Sequence, residues 1–100
     1  MIKHIVMFKL KDFENKQLKQ EKALFLKSEL EKLKDKISVI KTYEVGINFI
    51  DNLNAYDFVI ISTFNCDMCL NKYLDAPEHK QIEKLLNENV IQKAVVNFNL

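Results

Sequence analysis

Ile2-Lys3-His4-Ile5-Val6-Met7-Phe8-Lys9-Leu10 alternates with a period of two residues, and its two faces decide the fold. Ile2, His4, Val6, Phe8 and Leu10 fall on one side of an extended strand, with Lys3, Ile5, Met7 and Lys9 on the other. The second side has charged ends and an apolar middle, so it too is expected to be partly covered. Tyr56 to Phe64 is apolar on both faces and rich in Ile and Val, as expected of a central strand. Between them, Val39 to Phe49 places Val39, Tyr43, Val45, Ile47 and Phe49 on one side, with Ile40, Thr42, Glu44, Gly46 and Asn48 on the other. Gly46 inside this pattern predicts a bulge or a close approach to the backbone. Asp51-Asn52-Leu53-Asn54 reads as a turn, and Val90 to Phe98 as a fourth strand.

Helical patterns fill the gaps. Asp12 and Asn15 are candidate caps for a run to about Lys36 that holds neither Gly nor Pro. Leu26, Leu30, Leu33 and Ile37 step by four, three and four along one stripe, with Leu18 and Ala23 near its start. Lysines and glutamates fill the opposite, solvated face; the mixed charge argues against attraction to an anionic membrane. Asn65-Cys66-Asp67 opens a short helix through Leu74, and Pro77 suits the first position of the next, whose buried stripe is Ile82, Leu85, Leu86 and Val90.

The order strand, helix, strand, strand, helix pair, strand (βαββααβ) predicts an α+β fold. It is a four-stranded antiparallel sheet of the ferredoxin-like kind, with helices on one face. Helices on one face leave the other apolar face bare. Soluble monomers rarely expose large contiguous apolar patches. Packing two sheets face to face would recover about 25 cal/mol per Å² of apolar surface removed from water, before the cost of association. A homodimer is the expected result.

Composition removes several classes. The 100 residues are 48% hydrophobic, which disfavours disorder, and the length suits one domain. Fifteen basic against 14 acidic residues leave a net charge of +1, without the basic excess of a nucleic-acid binder. A single Gly rules out a glycine-rich phosphate loop. No segment nears the roughly 18 apolar residues of a membrane span. Met1 to Lys9 lacks the small-residue cleavage site of a signal peptide, and two cysteines are too few for a secreted disulfide scaffold. The expected location is the cytoplasm.

Two constellations bear chemistry. Cys66-Asp67-Met68-Cys69 is a CxxC at a strand-to-helix turn, where a redox pair or half a zinc site can sit. No second CxxC exists, His79 is at most a third ligand, and Asp67 disfavours a neighbouring thiolate. The favoured reading is structural, with Cys66 at a cap and Cys69 on a helix face, and no metal is expected. Tyr73 and His79 flank the Pro77 turn, and His79 shares a helix face with Ile82 and Leu86. His4 lies on the strand face of Val6 and Phe8. A histidine on an apolar face is first a packing residue, but two histidines and a tyrosine facing apolar side chains can also line a ligand cavity.

Ile2 to Lys9, Tyr43-Glu44-Val45-Gly46-Ile47-Asn48, Tyr56 to Phe64, and Tyr73 followed by Pro77-Glu78-His79 together resemble the stress-responsive A/B barrel (Dabb) domain. The resemblance runs over nearly the whole chain, residues 1–100, read as one such domain. It implies a ferredoxin-like unit that dimerises through its sheets into an α/β barrel. Members include plant stress-induced proteins and a plant polyketide cyclase that performs an aldol condensation without a cofactor. The cyclase's tyrosine and histidine around the proline turn carry over to Tyr73 and His79 as catalytic residues, and the cavity histidine of its opening motif to His4 as a ligand-binding residue. Two departures stand out: Ala76 replaces a histidine often found before the proline, and Phe58 replaces a further cavity histidine. The rival expectations are a non-enzymatic ligand-binding or structural oligomer and, less favoured, a ferredoxin-like monooxygenase, which would bind haem or consume oxygen.

Overall fold

Backbone hydrogen bonding converts the alternating segments into strands in the computed structural model, which describes residues Met1–Leu100. The order is β1 (Ile2–Leu10), α1 (Lys16–Glu31), α2 (Leu33–Lys36), β2 (Thr42–Ile47), β3 (Phe58–Phe64), α3 (Asp67–Asp75), α4 (Pro77–Asn89) and β4 (Val90–Asn99). The strands pair antiparallel in the order β2-β3-β1-β4. The two doubly apolar strands, β1 and β3, therefore lie in the middle, as their composition requires.

Every second residue of β1 faces the helices, and Ile2, His4, Val6, Phe8 and Leu10 are all buried. Against them lie Ala23, Leu26 and Leu30 of α1, Tyr73 of α3, and Ile82 and Leu86 of α4, in one continuous core. Asn15 is the working cap of α1: its Oδ1 accepts the Leu18 amide at 2.9 Å, and its backbone is extended. Replacing Asn15 with Ala should cost about 1 kcal/mol of unfolding free energy. Urea unfolding at fixed protein concentration measures it, with the slope unchanged.

Local details depart from the sequence expectation. The run to Lys36 divides at Lys32 into two helices, and Leu18 is left exposed at the start of the stripe. The strand expected over Val39–Phe49 shortens to Thr42–Ile47. Ile40 is buried ahead of it, and Phe49 projects with 90% of its surface exposed. Gly46 makes no bulge; it pairs in register with Val59, and a Cβ there would touch Val59 Cγ1 at 3.4 Å, ordinary contact. The register shift falls instead at Lys9/Leu10 against β4. Tyr56 and Asp57 precede β3, and the Asp57 carboxylate accepts the Leu10 amide at 2.7 Å and pairs with Lys19 at 3.3 Å. Asp57 thereby ties the end of β1 to α1.

Directly opposed residues in a sheet point to one side. On the side away from the helices, the pairings align Glu44, Ile61, Ile5 and Val96 in one row and Gly46, Val59, Met7 and Ala94 in the next. No helix covers this face. Along β4, Val96 and Phe98 are exposed on it. No helix is long and apolar enough to cross a membrane.

Candidate functional site

A cavity of about 240 Å³ lies between the helix-facing side of β1 and β4 and the helices α3 and α4. Val6, Phe8, Leu30, Ile60, Ile82 and Leu86 supply apolar wall, and His4, Tyr73 and His79 form a polar cluster within it. It is slightly smaller than the roughly 300–1,000 Å³ typical of drug-sized sites, so it suits a small molecule. Its mouth runs along α4 and β4 past Glu83, Asn87, Lys93 and Asn97.

The three expected residues come from three separate elements and meet. The His4 and Tyr73 ring centroids are 6.3 Å apart, and those of Tyr73 and His79 4.5 Å. Tyr73 reaches inward from the last turns of α3 and is 2% exposed. Pro77 starts α4 only two residues after α3 ends, which sets His79 in its first turn beside Tyr73. His4 arrives through the alternation of β1.

Hydrogen bonds fix how the imidazoles present themselves. His79 Nδ1–H donates to the Leu74 carbonyl oxygen at 3.2 Å, leaving Nε2 with the lone pair when the ring is neutral. His4 Nδ1–H donates to Asn97 Oδ1 in the same manner. Burial pushes the His79 pKa below its ordinary value of 6.5, with lesser lowering from His4 and Lys93, against the opposing pull of Glu83 and of the Leu74 carbonyl. The ring is thus held neutral near pH 7.

Depression of that pKa carries a stability consequence. The unfolded chain takes up the His79 proton at a higher pH than the folded chain does, so stability is full above about 6.5 and falls as pH drops below it. The fall in melting temperature between pH 7.5 and pH 5 should shrink in His79→Gln, as read by thermal unfolding at fixed concentration.

Tyr43 joins the cluster from β2, its hydroxyl 3.0 Å from that of Tyr73. Burial raises both phenols: Tyr73 is pushed up to about 12, and Tyr43 further still. The Tyr73 hydroxyl counters part of its own rise through this bond, as expected when Tyr43 O–H donates and the Tyr73 oxygen accepts. The sequence pattern sets Tyr43 on the Val45 side of its strand and points to no role for it or for Asn97. Alternation along β4 sets Asn97 with Val95, yet only the register Val6↔Val95 and His4↔Asn97 brings that amide to the imidazole. Phe58, which stands where the resemblance has a further cavity histidine, stacks on Phe8 with ring centroids 4.8 Å apart.

Elsewhere, Cys66 and Cys69 stand at the start of α3, on the rim of the fold. No three His, Cys, Asp or Glu side chains are grouped to hold a metal ion.

Comparison with solved structures returns the same architecture. A dimeric protein of ferredoxin-like fold from Bacteroides fragilis is 32% identical, covering 99% of this chain and 95% of that one, with a TM-score of 0.86. A dimeric ferredoxin-like protein from Thermobifida fusca is 23% identical over 99% and 90% of the two chains, at a TM-score of 0.81. The hydroxynitrile lyase of Passiflora edulis is 16% identical over 99% and 92%, at a TM-score of 0.78. Comparison with curated protein sequences finds no match. The sequence profile of the Stress responsive A/B Barrel Domain matches residues 2–100, nearly every position that builds the sheet, the helices and the cavity. This chain belongs to the stress-responsive A/B barrel (Dabb) family.

Proposed function

We propose that the protein works as a homodimer packed through its bare sheet faces, and that each cavity binds a small carbonyl compound and moves a proton at the carbon next to the carbonyl. The observation that carries this reading is a neutral imidazole beside a phenol against the apolar wall of the cavity. His79 Nε2 takes the Cα proton, and the electron pair of that C–H bond moves to the carbonyl oxygen as an enolate. The Tyr73 hydroxyl donates to that oxygen, and Tyr43, donating in turn to Tyr73, steadies the phenol. His4 Nε2 accepts from a polar end of the ligand. His79 then returns its proton to carbon, or the enolate carbon attacks a second carbonyl of the same ligand, the first C=O re-forms, and His79 gives its proton to the new alkoxide. An apolar wall strengthens each hydrogen bond by excluding water.

The bare row of Ile61, Ile5 and Val96 and the row of Val59, Met7 and Ala94 beside it support dimerisation. The Bacteroides and Thermobifida relatives are described as dimeric, which supports the same assembly here. The Passiflora relative is a hydroxynitrile lyase, but 16% identity bears on fold alone.

The test is a panel of small 1,3-diketones and β-keto acids incubated with the protein in D2O. Nuclear magnetic resonance follows deuterium entry at the carbon between the carbonyls, and native mass spectrometry of the same samples reports subunit number and bound ligand. Enzyme-dependent exchange supports the reading. Binding without exchange would reduce it to the ligand-binding alternative, and a protein that binds none of them would overturn it.

A further inference from the structure

The CxxC segment takes no part in the cavity chemistry, and its geometry is that of two thiols poised on each other. Cys66 is the N-cap residue of α3, with extended backbone at φ −159° and ψ 170°, and Cys69 lies in the first turn. This bend places the two sulfurs 3.0 Å apart. A disulfide needs an S–S distance of about 2.05 Å, so closing it takes a movement of only about 1 Å. Cys66 is exposed and open to attack or attacking, whereas Cys69 is half-buried, packed against the core.

Cys66 is explained neither by packing nor by metal binding. Cys66 makes no side-chain cap hydrogen bond, which Ser or Asp would supply at that position, and being exposed it fills no space in the core. No third metal-ligating side chain joins the pair, and His79 is turned into the cavity with Nδ1 on Leu74.

We propose that Cys66 and Cys69 form a redox-active dithiol that exchanges with organic disulfides, Cys66 attacking and Cys69 resolving. The Cys66 thiolate attacks one sulfur of R–S–S–R; a Cys66–S–S–R bond forms and one RS⁻ leaves. The Cys69 thiolate then attacks Cys66 Sγ, forming the Cys66–Cys69 bond and expelling the second RS⁻. The two protons shed by the cysteines end on the two RS⁻, so the dithiol gives up two electrons and the organic disulfide becomes two thiols. The exchange runs in reverse with a dithiol reductant.

The asymmetry between the two cysteines fits these roles. The Cys69 thiol, as hydrogen-bond donor, does most to lower the Cys66 pKa, helped by the dipoles of the nearby first-turn amides of Cys69 and Met68, and together they outweigh partial burial and the opposing charge of Asp67. The Cys69 thiol is raised, above all by donating to Cys66, with partial relief from Lys72 one turn along. Asp67, which in the sequence argued against a thiolate, is thus overridden by the local hydrogen bonding. The more acidic, exposed thiol reacts first.

The experiment exposes the reduced full-length chain to glutathione disulfide at pH 7.5, alkylates with N-ethylmaleimide and reads the intact mass. The parent should end lighter by two hydrogens, with neither alkylation nor glutathionyl adduct. Cys69→Ser should hold one glutathionyl group on Cys66, and its thiol should react about tenfold faster than the one left in Cys66→Ser. The difference should vanish in urea, which removes α3 but not the sequence; far-UV circular dichroism verifies that both variants are folded beforehand. A parent that carries glutathionyl groups on both cysteines, or that leaves both open to alkylation, would overturn the proposal. Equal rates in the two folded variants would do the same.

Discussion

Val96→Glu should turn the proposed sheet-to-sheet dimer into monomers at micromolar concentration while leaving the subunit folded. Val96 is exposed on β4 and lies directly across from Ile5, which in turn opposes Ile61. In the single chain its side chain stands in water, so a glutamate there costs the subunit little. In a two-fold interface each substitution occurs twice, and each places a carboxylate against apolar side chains of the partner. Taking about 2 kcal/mol for each poorly solvated group, the interface loses about 4 kcal/mol, near 10³-fold in Kd. Sedimentation velocity across a concentration series reads the shift, and far-UV circular dichroism confirms the fold. A variant that associates as tightly as the parent would mean that this face is not the interface.

His79→Gln should lower the rate of enzyme-dependent Cα–H exchange by about 10²–10⁴-fold, the range supplied by one well-placed general base. Gln retains a polar group of similar reach but has no basic nitrogen. Binding of the same diketone, measured by native mass spectrometry, should change far less than exchange does, since the apolar wall and Tyr73 remain. Tyr73→Phe makes a useful contrast: its ring still packs on Phe64 and His79, but the hydrogen bond to Tyr43 is lost. It should lose about 10²-fold in exchange, as for removal of one donor to a developing oxyanion. If His79→Gln exchanges as fast as the parent, the base is another group and the assignment fails.

Much of this was legible before any coordinates. Alternation in Ile2–Leu10 set which side of β1 is buried, and the double apolarity of Tyr56–Phe64 set β3 in the middle of the sheet. Pro77 and the spacing of His79, Ile82 and Leu86 turned the imidazole toward the apolar side. Such patterns are local: side-chain direction along a strand or helix repeats at fixed periods, so a few residues suffice to fix it. The Dabb resemblance drew on the same blocks, which is why it reached the family that the residue 2–100 match shows.

What tertiary structure decided is whatever depends on partners distant in sequence. The pairing of Tyr43 with Tyr73 joins residues 30 apart, and that of His4 with Asn97 joins residues 93 apart. Strand register sets the His4–Asn97 pair, and the packing of α3 against the sheet sets the Tyr43–Tyr73 pair; neither can be read from one segment alone. The role of Asp57 as a tether arose because the end of β1 and α1 bring an amide and an ammonium to its carboxylate. The sequence by itself determined which side chains turn inward, because backbone periodicity is a local property. Only the packed chain decided which of them touch, because contact depends on how the elements are set against one another.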